Sequence, residues 1–192
     1  MRFAIAASYL ISALTFNGIA ATHVTGMQTS MQSNAANAVN SAVPQEGEIA
    51  PSFSLQSQSG KQDSLSTFKG KWVVLYFYPE DFTSGCTLEA HNFQRDAEKF
   101  AKLNAIIVGV SVDSVDSHKQ FCAKEGLNVK LLSDVSRRVS AQYGSLNVNS
   151  RTANRNTFLI SPTGKIARVW INVTPAQHSS EVLAAIEGRK QG

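Results

Sequence analysis

Two unbroken apolar segments of strand length, separated by an amphipathic helix, constrain the fold of this chain more than any other feature. The segments are Trp72–Tyr78 (WVVLYFY) and Ala105–Val112 (AIIVGVSV), and both are rich in β-branched or aromatic residues. Uninterrupted apolar runs of this length are typical of strands that are covered on both faces. Between them, Leu88–Leu103 places Phe93 and Phe100 on one helical face and charged side chains on the other. The pattern predicts two central strands of one sheet with a helix packed against it.

Turn and cap signals divide the remainder of the chain into further strands and helices. Strands are predicted at Thr157–Ile160 and Lys165–Val173, joined as an antiparallel hairpin by Ser-Pro-Thr-Gly, and a short hairpin is predicted from Phe53–Leu55 and a segment near Leu65. Helices are predicted at Ser117–Glu125, Val135–Tyr143 and Pro175–Glu187. The resulting order, β-α-β-α-β-α-β-β-α, predicts an α/β domain with a central mixed sheet and helices on both faces.

The amino-terminal region differs sharply in charge from the rest of the chain. Residues 3–45 contain no Lys, Arg, Asp or Glu. An apolar run from Phe3 to Phe16 follows Arg2 and precedes small residues at 18, 20 and 21, which is the layout of a secretory signal. Residues 22–45 are rich in Ser, Asn, Gln, Ala and Thr without a periodic apolar face, which indicates a flexible tether. We therefore expect a signal peptide or leader at 1–21, a tether at 22–45 and a folded domain at 46–192.

This leader predicts that the protein is exported to a periplasmic or lumenal compartment, which includes the thylakoid lumen or a plastid. The apolar run is too short for a comfortable membrane span. An uncleaved membrane anchor is the alternative, because the only positive charges before the run are the amino terminus and Arg2.

Charge and cysteine content exclude several classes of protein. The 18 basic residues exceed the 14 acidic ones by only four, and no polybasic run is present, so we expect no nucleic-acid partner. Two cysteines are too few for a disulfide scaffold, and their separation excludes the Cys-x-x-Cys pairs of zinc ribbons and redox loops. The two thiols are therefore expected to serve either packing or reactivity.

Cys86 lies where a strand has ended and a helix begins. A thiol in the first turn of a helix is close to unsatisfied backbone N–H groups and to the positive end of the helix dipole, and both favour the thiolate. Gly85 has no side chain to block approach, Thr83 offers a hydroxyl, and Pro79 stiffens the loop. These neighbours indicate an activated nucleophile. The alternative is a buried, inert cysteine, which is the commoner fate of a free thiol.

The same loop resembles a known enzyme family. Pro79, Thr83 and Cys86 reproduce the Pro-x-x-x-Thr-x-x-Cys signature of peroxiredoxins, and the flanking residues resemble the Q-type branch, also called bacterioferritin comigratory proteins. The likeness extends from about Gly47 to the last helix. It includes Val110-Ser-Val-Asp113, Leu131-Leu-Ser-Asp134 and Arg155-Asn-Thr-Phe158.

This resemblance implies a thioredoxin-like fold and a role for each matching residue. Cys86 would be the peroxidatic cysteine, Thr83 would hold the peroxide, and Pro79 would shield the site. Arg155 matches the second-site arginine of the family. Neither a metal nor an organic cofactor is implied.

The chemistry of guanidinium suits the role implied for Arg155. Its permanent charge stabilises a thiolate, and its fixed fork of donors fits two peroxide oxygens. Arg151 lies nearby but does not match the family pattern. Both could instead be solvated loop arginines. Glu89 is a further candidate, because it is close enough to Cys86 to orient Arg155.

The expected product on Cys86 is a sulfenic acid, which a second thiol can convert to a disulfide. Cys122 is the one other cysteine, at a position that resembles the resolving cysteine of one Q-type subgroup, whereas His91 occupies the commoner resolving position. Cys122 could instead be structural, which would leave a one-cysteine enzyme, or could form a permanent disulfide. His118, one turn before Cys122, could face the same way and influence that thiol, but it is not counted among the site residues.

The sequence therefore predicts a thiol peroxidase that reduces hydrogen peroxide or organic hydroperoxides. The resemblance implies a thioredoxin-type dithiol as reductant and a monomer as the oligomeric state. A thiol-disulfide exchanger is disfavoured because it normally needs two closely spaced cysteines. A non-catalytic binding or chaperone module is the remaining alternative.

Overall fold

The computed structural model describes residues 42–190, which form seven strands and four α-helices. In chain order these are β1 (Ser54–Ser57), β2 (Gln62–Ser64), a short 3-10 helix (Leu65–Phe68), β3 (Trp72–Phe77), α1 (Ser84–Lys102), β4 (Ala105–Ser111), α2 (Val115–Glu125), β5 (Lys130–Ser133), α3 (Arg138–Gln142), β6 (Thr157–Ile160), β7 (Ile166–Trp170) and α4 (Pro175–Lys190). Of the helices in this part of the chain, none is long and apolar enough to cross a membrane.

All seven strands form one mixed sheet in the order β2-β1-β5-β4-β3-β6-β7. The three strands β3, β4 and β5 are parallel, and the other pairs are antiparallel. This arrangement confirms the predicted α/β class, the order of elements and the β6–β7 hairpin.

Two predicted elements differ from the sequence interpretation. The predicted short hairpin is present as β1 and β2, but its second strand ends at Ser64, and a 3-10 helix begins at Leu65, where Ser64 and Thr67 form a capping box. The third helix begins at Arg138 rather than Val135. Asp134 accepts hydrogen bonds from the backbone N and the hydroxyl of Ser140, at 2.7 and 2.8 Å, and these bonds hold residues 134–137 in a turn before the helix.

The predicted leader, 1–21, and residues 22–41 of the predicted tether lie outside the described residues. Val43, at the end of that tether, packs against Gly144 and the core of the domain. Export and cleavage therefore remain predictions.

The central strand β3 is buried on both faces, as its continuous apolar pattern predicts. Alternate residues point to opposite sides, so Val73 and Leu75 pack in the cluster that includes α3, and Val74 and Tyr76 pack in the cluster that includes α1, α2 and α4. Full burial of each such side chain contributes about 1.5–3 kcal/mol to stability. The core therefore fixes the end of β3, from which the loop carrying Cys86 departs.

Close packing on the α1 side depends on Gly109 in β4. A Cβ atom at this position would lie 2.6 Å from Cζ of Tyr76 and 2.8 Å from Cδ2 of Leu131. The ring of Tyr76 therefore packs across β4 at Gly109, which has no side chain. Burial raises the pKa of Tyr76, and the charges of neighbours that include Glu89 raise it further; the ring packs in the same core cluster as Cys86.

Helix α4 is fastened to α1 by polar contacts. The Asn92 amide donates to the backbone oxygens of Pro175 and Ala176 at 3.1 and 3.3 Å, and the Ser179 hydroxyl donates to Asp96 at 2.9 Å. These bonds hold the start of α4 against the middle of α1, and Pro175 reaches the first turn, where its Cγ would lie 4.0 Å from a Cβ atom at Gly85.

Candidate active site

The helix α1 begins two residues before Cys86. Thr83 is its N-cap residue, and Cys86 is the third residue of its first turn. The Cys86 side chain is only 2 % exposed. The thiol therefore lies beside the free N–H groups of the helix start, as the sequence predicts.

Arg155 connects the Cys86 sulfur to a buried carboxylate. Its Nη2 donates to Sγ of Cys86 at 3.3 Å, and its Nη1 donates to Oε2 of Glu89 at 2.5 Å. Glu89 is on α1, one turn after Cys86. The expectation that Glu89 accepts bonds from Arg155 is confirmed, and the three side chains form one charged group. We call it the Cys86–Arg155–Glu89 triad.

The backbone on either side of Arg155 is anchored to the sheet and to the segment before α4. The Asn156 oxygen accepts from the backbone N of Phe77 at 2.7 Å, and the Arg155 oxygen accepts from the backbone N of Val173 at 2.8 Å. Arg155 therefore enters the site from the start of β6, next to the end of β3.

Gly85 leaves the space that the guanidinium uses. A Cβ atom at this position would lie 3.3 Å from Nη2 of Arg155 and 4.0 Å from Cγ of Pro175. A larger residue would push Arg155 away from the sulfur, so the glycine favours this approach of the arginine as well as access to Cys86.

The triad combines burial with opposite charges. Burial raises the pKa of Glu89 from 4.5 to about 7, although the charge and hydrogen bond of Arg155 act in the opposite direction. Burial alone would lower the pKa of Arg155, but Glu89 and Cys86 raise it above its ordinary value. The guanidinium therefore keeps its charge beside the sulfur. Within residues 42–190, Oε1 of Glu89 has no hydrogen-bond partner.

Thr83 and Pro79 belong to the segment that leads into α1, and among the described residues neither forms a side-chain hydrogen bond with the Cys86 sulfur. The Thr83 hydroxyl donates to the backbone oxygen of Glu80 at 3.0 Å, so its oxygen keeps lone pairs free to accept a further bond. Thr83 is exposed and Pro79 is half-buried.

Cys122 lies on α2, and neither it nor Cys86 is in a disulfide in the described structure. Its half-buried side chain packs against the same core cluster that contains Cys86. Burial, and to a lesser extent the charge of Asp81, raises the pKa of the Cys122 thiol from 9.0 to about 11. In this state the two cysteines are therefore separate thiols, and Cys122 is a weak acid.

The remaining candidates lie away from the sulfur. Arg151 is exposed and at a positive φ of 60°. His91 is exposed and contacts Glu125 at 3.1 Å, as expected for a surface residue. Of the two arginines considered, only Arg155 contacts Cys86.

A buried polar cluster beside the loop was missed by the sequence analysis. The Asp81 carboxylate accepts from the Tyr78 hydroxyl at 2.8 Å, the Ser117 hydroxyl at 2.7 Å and Nδ1 of His118 at 2.9 Å. Asp113 accepts from the backbone N of Asp81 at 3.0 Å. An acidic residue in the signature loop and a histidine at the start of the next helix were the available signals.

Asp81, Asp113 and His118 also have the donor atoms of a cation site, within 4.8 Å of one another. Each carboxylate, however, already accepts protein hydrogen bonds, including one from Ser111 to Asp113 at 2.6 Å. Hydrogen bonding within the protein accounts for the arrangement.

The raised pKa of Glu89 predicts how stability depends on pH. Between about pH 4.5 and 7 the unfolded chain loses the Glu89 proton while the folded protein keeps it, so the free energy of unfolding falls as pH rises through this window. The expected decrease is about 3 kcal/mol, at about 1.4 kcal/mol per unit of pKa shift. Urea denaturation of the reduced protein from pH 4 to 8 measures it.

The Glu89→Gln variant should lack this part of the pH dependence, because the amide does not titrate but keeps the size and an acceptor for Arg155. Glu98→Gln removes an exposed carboxylate from the same helix and should not reproduce the effect. If the free energy of unfolding changed with pH in the same way for wild type and Glu89→Gln, the raised pKa of Glu89 would be contradicted.

Comparison with known proteins places the site in a family. Residues 47–169 match the model of the AhpC/TSA family. The chain is 36% identical to peroxiredoxin Bcp of Bacillus subtilis, over 73% of this chain and 94% of that protein. It is also 36% identical to chloroplastic peroxiredoxin Q of Populus jackii, over 90% of this chain and 81% of that protein.

Solved structures agree with these relatives in fold. A cysteine-to-serine variant of Xylella fastidiosa PrxQ superposes with a TM-score of 0.74 at 31% identity, covering 78% of this chain and 99% of that one. Peroxiredoxin Q of Xanthomonas campestris gives 0.67 at 37% identity, covering 71% and 90%. The expected thioredoxin-like fold is confirmed. Because the family model covers most of the chain and these relatives are at least 31% identical to it, the chain belongs to the AhpC/TSA family as a peroxiredoxin of the Q type, a thiol-dependent peroxidase.

Proposed function

We propose that this peroxiredoxin reduces hydrogen peroxide and organic hydroperoxides at Cys86, resolves the product with Cys122, and is recycled as a monomer by a thioredoxin-type protein dithiol. The observation that carries the proposal is the Arg155 guanidinium, which donates to the Cys86 sulfur while Glu89 holds its other nitrogen.

In the first step, the Cys86 thiolate attacks the terminal oxygen of the peroxide. The sulfur–oxygen bond forms, the oxygen–oxygen bond breaks, and the departing alkoxide or hydroxide takes a proton from water. Arg155 donors aimed at the departing oxygen stabilise the transition state more than the ground state, because negative charge develops there. Thr83 accepts a hydrogen bond from the peroxide, and Pro79 limits the access of water to the sulfur.

In the second step, the Cys122 thiol attacks the sulfenic sulfur of Cys86, and a disulfide and water are formed. Disulfide geometry requires α-carbons about 5.5 Å apart. Because Cys86 and Cys122 are on separate helices, α1 and α2, this step requires local unwinding of at least one helix.

Two structural relatives support the pairing of these cysteines. Both are cysteine-to-serine variants of Xanthomonas campestris peroxiredoxin Q, and the two replaced cysteines are 36 positions apart, the same separation as Cys86 and Cys122. A further structure of that organism's bacterioferritin comigratory protein concerns alkyl peroxide reduction, which supports organic hydroperoxides as substrates here.

A one-cysteine enzyme is the second candidate. The pKa of about 11 for Cys122 and its position within an intact helix favour an inert thiol. In that case an external thiol would attack the sulfenic acid of Cys86 directly.

The first test separates the roles of the two cysteines. Cys86→Ser should abolish fast peroxide consumption, because no other thiol has an arginine donor. Cys122→Ser should retain the first turnover but lose repeated turnover with thioredoxin. Peptide mapping of peroxide-treated wild type should find a Cys86–Cys122 disulfide, and a free Cys122 in that map would favour the one-cysteine enzyme.

The second test concerns the guanidinium fork. Arg155→Lys keeps the charge but cannot donate to two oxygens at once, so the rate of the first step should fall by about 10²-fold or more. Stopped-flow measurement of the second-order rate constant gives this value. Arg151→Lys, in the same loop region, is the matched control and should react like wild type. A rate constant for Arg155→Lys within a few-fold of wild type would refute the proposal that the guanidinium donates to two oxygens at once.

We also propose export of the mature enzyme, with cleavage after Ala21. The charge-free amino-terminal region supports this. Amino-terminal sequencing of protein purified from its native cells should find a start near Thr22. An intact Met1 would argue for a retained leader or anchor.

A further inference from the structure

Helix α2 carries a buried histidine one turn before Cys122. His118 is 0 % exposed, and its Nδ1 lies 2.9 Å from Oδ2 of Asp81. Residues four apart on a helix are neighbours on one face. His118 and Cys122 therefore share the face of α2 that packs toward the site.

The hydrogen bonds of Asp81 determine which His118 nitrogen carries the proton. The carboxylate has only acceptor atoms, and it also accepts from Tyr78 and Ser117. Nδ1 of His118 must therefore donate to Asp81. In the neutral imidazole this leaves Nε2 with a lone pair and no proton.

Within the described residues, Nε2 of His118 has no hydrogen-bond partner, although it is fully buried. Such orphaned polar atoms are rare and costly in folded proteins. A purely structural histidine would need only the Nδ1 bond to Asp81. The free Nε2 is therefore unexplained by the packing of α2.

Cys122 lacks the electrostatic help that Cys86 receives. It is in the second half of α2, away from the helix start, and Asp81 adds negative charge nearby. A thiol in these surroundings reacts slowly at neutral pH unless a base removes its proton.

We propose that Nε2 of His118 is the general base that takes the proton from the Cys122 thiol in the resolving step, with Asp81 as the residue that positions the imidazole. Nε2 removes the proton, the freed sulfur electron pair attacks the Cys86 sulfenic sulfur, and the sulfur–oxygen bond breaks. The hydroxide leaves with that proton as water. This inference rests on the proposed function of Cys122.

The titratable groups around His118 come from two loops and from α2. Tyr78 and Asp81 face it from the loop after β3, with the Tyr78 hydroxyl 3.3 Å from Nδ1. Asp113 lies beside them from the loop before α2, and Cys122 is on α2 itself. The hydrogen bonds from Tyr78 and Asp81 are to Nδ1, and Nε2 has no hydrogen-bond partner among the described residues, so it is free to accept a proton.

His118→Asn tests this role without removing the contact to Asp81. The asparagine amide lies close to where Nδ1 was and can still donate to the carboxylate, but it has no atom in place of Nε2. We expect the first step to be unchanged and disulfide formation at pH 7 to slow by about 10²-fold, the usual contribution of a general base. Gln120→Asn places the same residue at an exposed position of α2 and controls for helix propensity.

The readout is acid-quenched alkylation and mass spectrometry after one equivalent of peroxide, from pH 6 to 10. In His118→Asn the reaction must wait for spontaneous ionisation of Cys122, so its rate should rise about tenfold per pH unit toward the pKa of about 11. The wild-type rate should reach a plateau below pH 9. Disulfide formation in the variant at the wild-type rate, or slowed by the same factor at every pH, would overturn the proposal.

If His118→Asn does not fold, the pH dependence of disulfide formation in wild type tests the proposal alone. A log-linear rise of this rate up to pH 10 would exclude a histidine base. The disulfide map separates this proposal from the function on which it rests. If wild type forms no Cys86–Cys122 bond, the resolving role of Cys122 fails. If the bond forms equally fast in His118→Asn, only the role of His118 fails.

Discussion

The bridge from Cys86 through Arg155 to Glu89 is the interaction on which the rest of the site depends. It places a permanent positive charge 3.3 Å from the sulfur and holds it there with a buried carboxylate. A buried carboxylate without a partner would be costly, and so would a buried guanidinium. The ion pair between Arg155 and Glu89 therefore makes the burial of both groups tolerable and keeps polar groups beside the buried sulfur.

The fold brings the triad together through backbone contacts rather than through loops alone. Cys86 and Glu89 are fixed relative to each other because they are one turn apart in α1. Arg155 joins them because β6 pairs with β3, the strand from which the Cys86 loop departs. A change in the β3–β6 register would move Arg155 away from the sulfur, so the geometry of the active site depends on how these two strands pair.

Sequence patterns predicted the local parts of this arrangement and missed the non-local ones. The strands, α1 and the position of Cys86 follow from continuous apolar runs, helical periodicity and a cap, which are features of neighbouring residues. Arg155 was found through the family signature, since 69 residues separate it from Cys86. No pattern of neighbours signals that Asp81 and His118, 37 residues apart, meet in the core. The helix α3 was predicted, but its start was placed too early, because the bonds from Ser140 to Asp134 hold residues 134–137 in a turn.

The two proposed chemical steps make opposite demands on the protein: the first needs an ordered site and the second needs Cys122 to move. The two halves of α2 suit these different demands. Its first half is anchored to the Cys86 loop, because Ser117 and His118 both bond to Asp81. Its second half ends at Gly126 in the left-handed conformation, with the Cys122 oxygen accepting the capping bonds from Gly126 and Leu127. Those bonds are at a helix end, where opening requires the least free energy. Unwinding from Gly126 would release Cys122 while Asp81 and His118 kept the loop before Cys86 in place, so the site could stay ordered for the proposed first step and still permit the proposed second one.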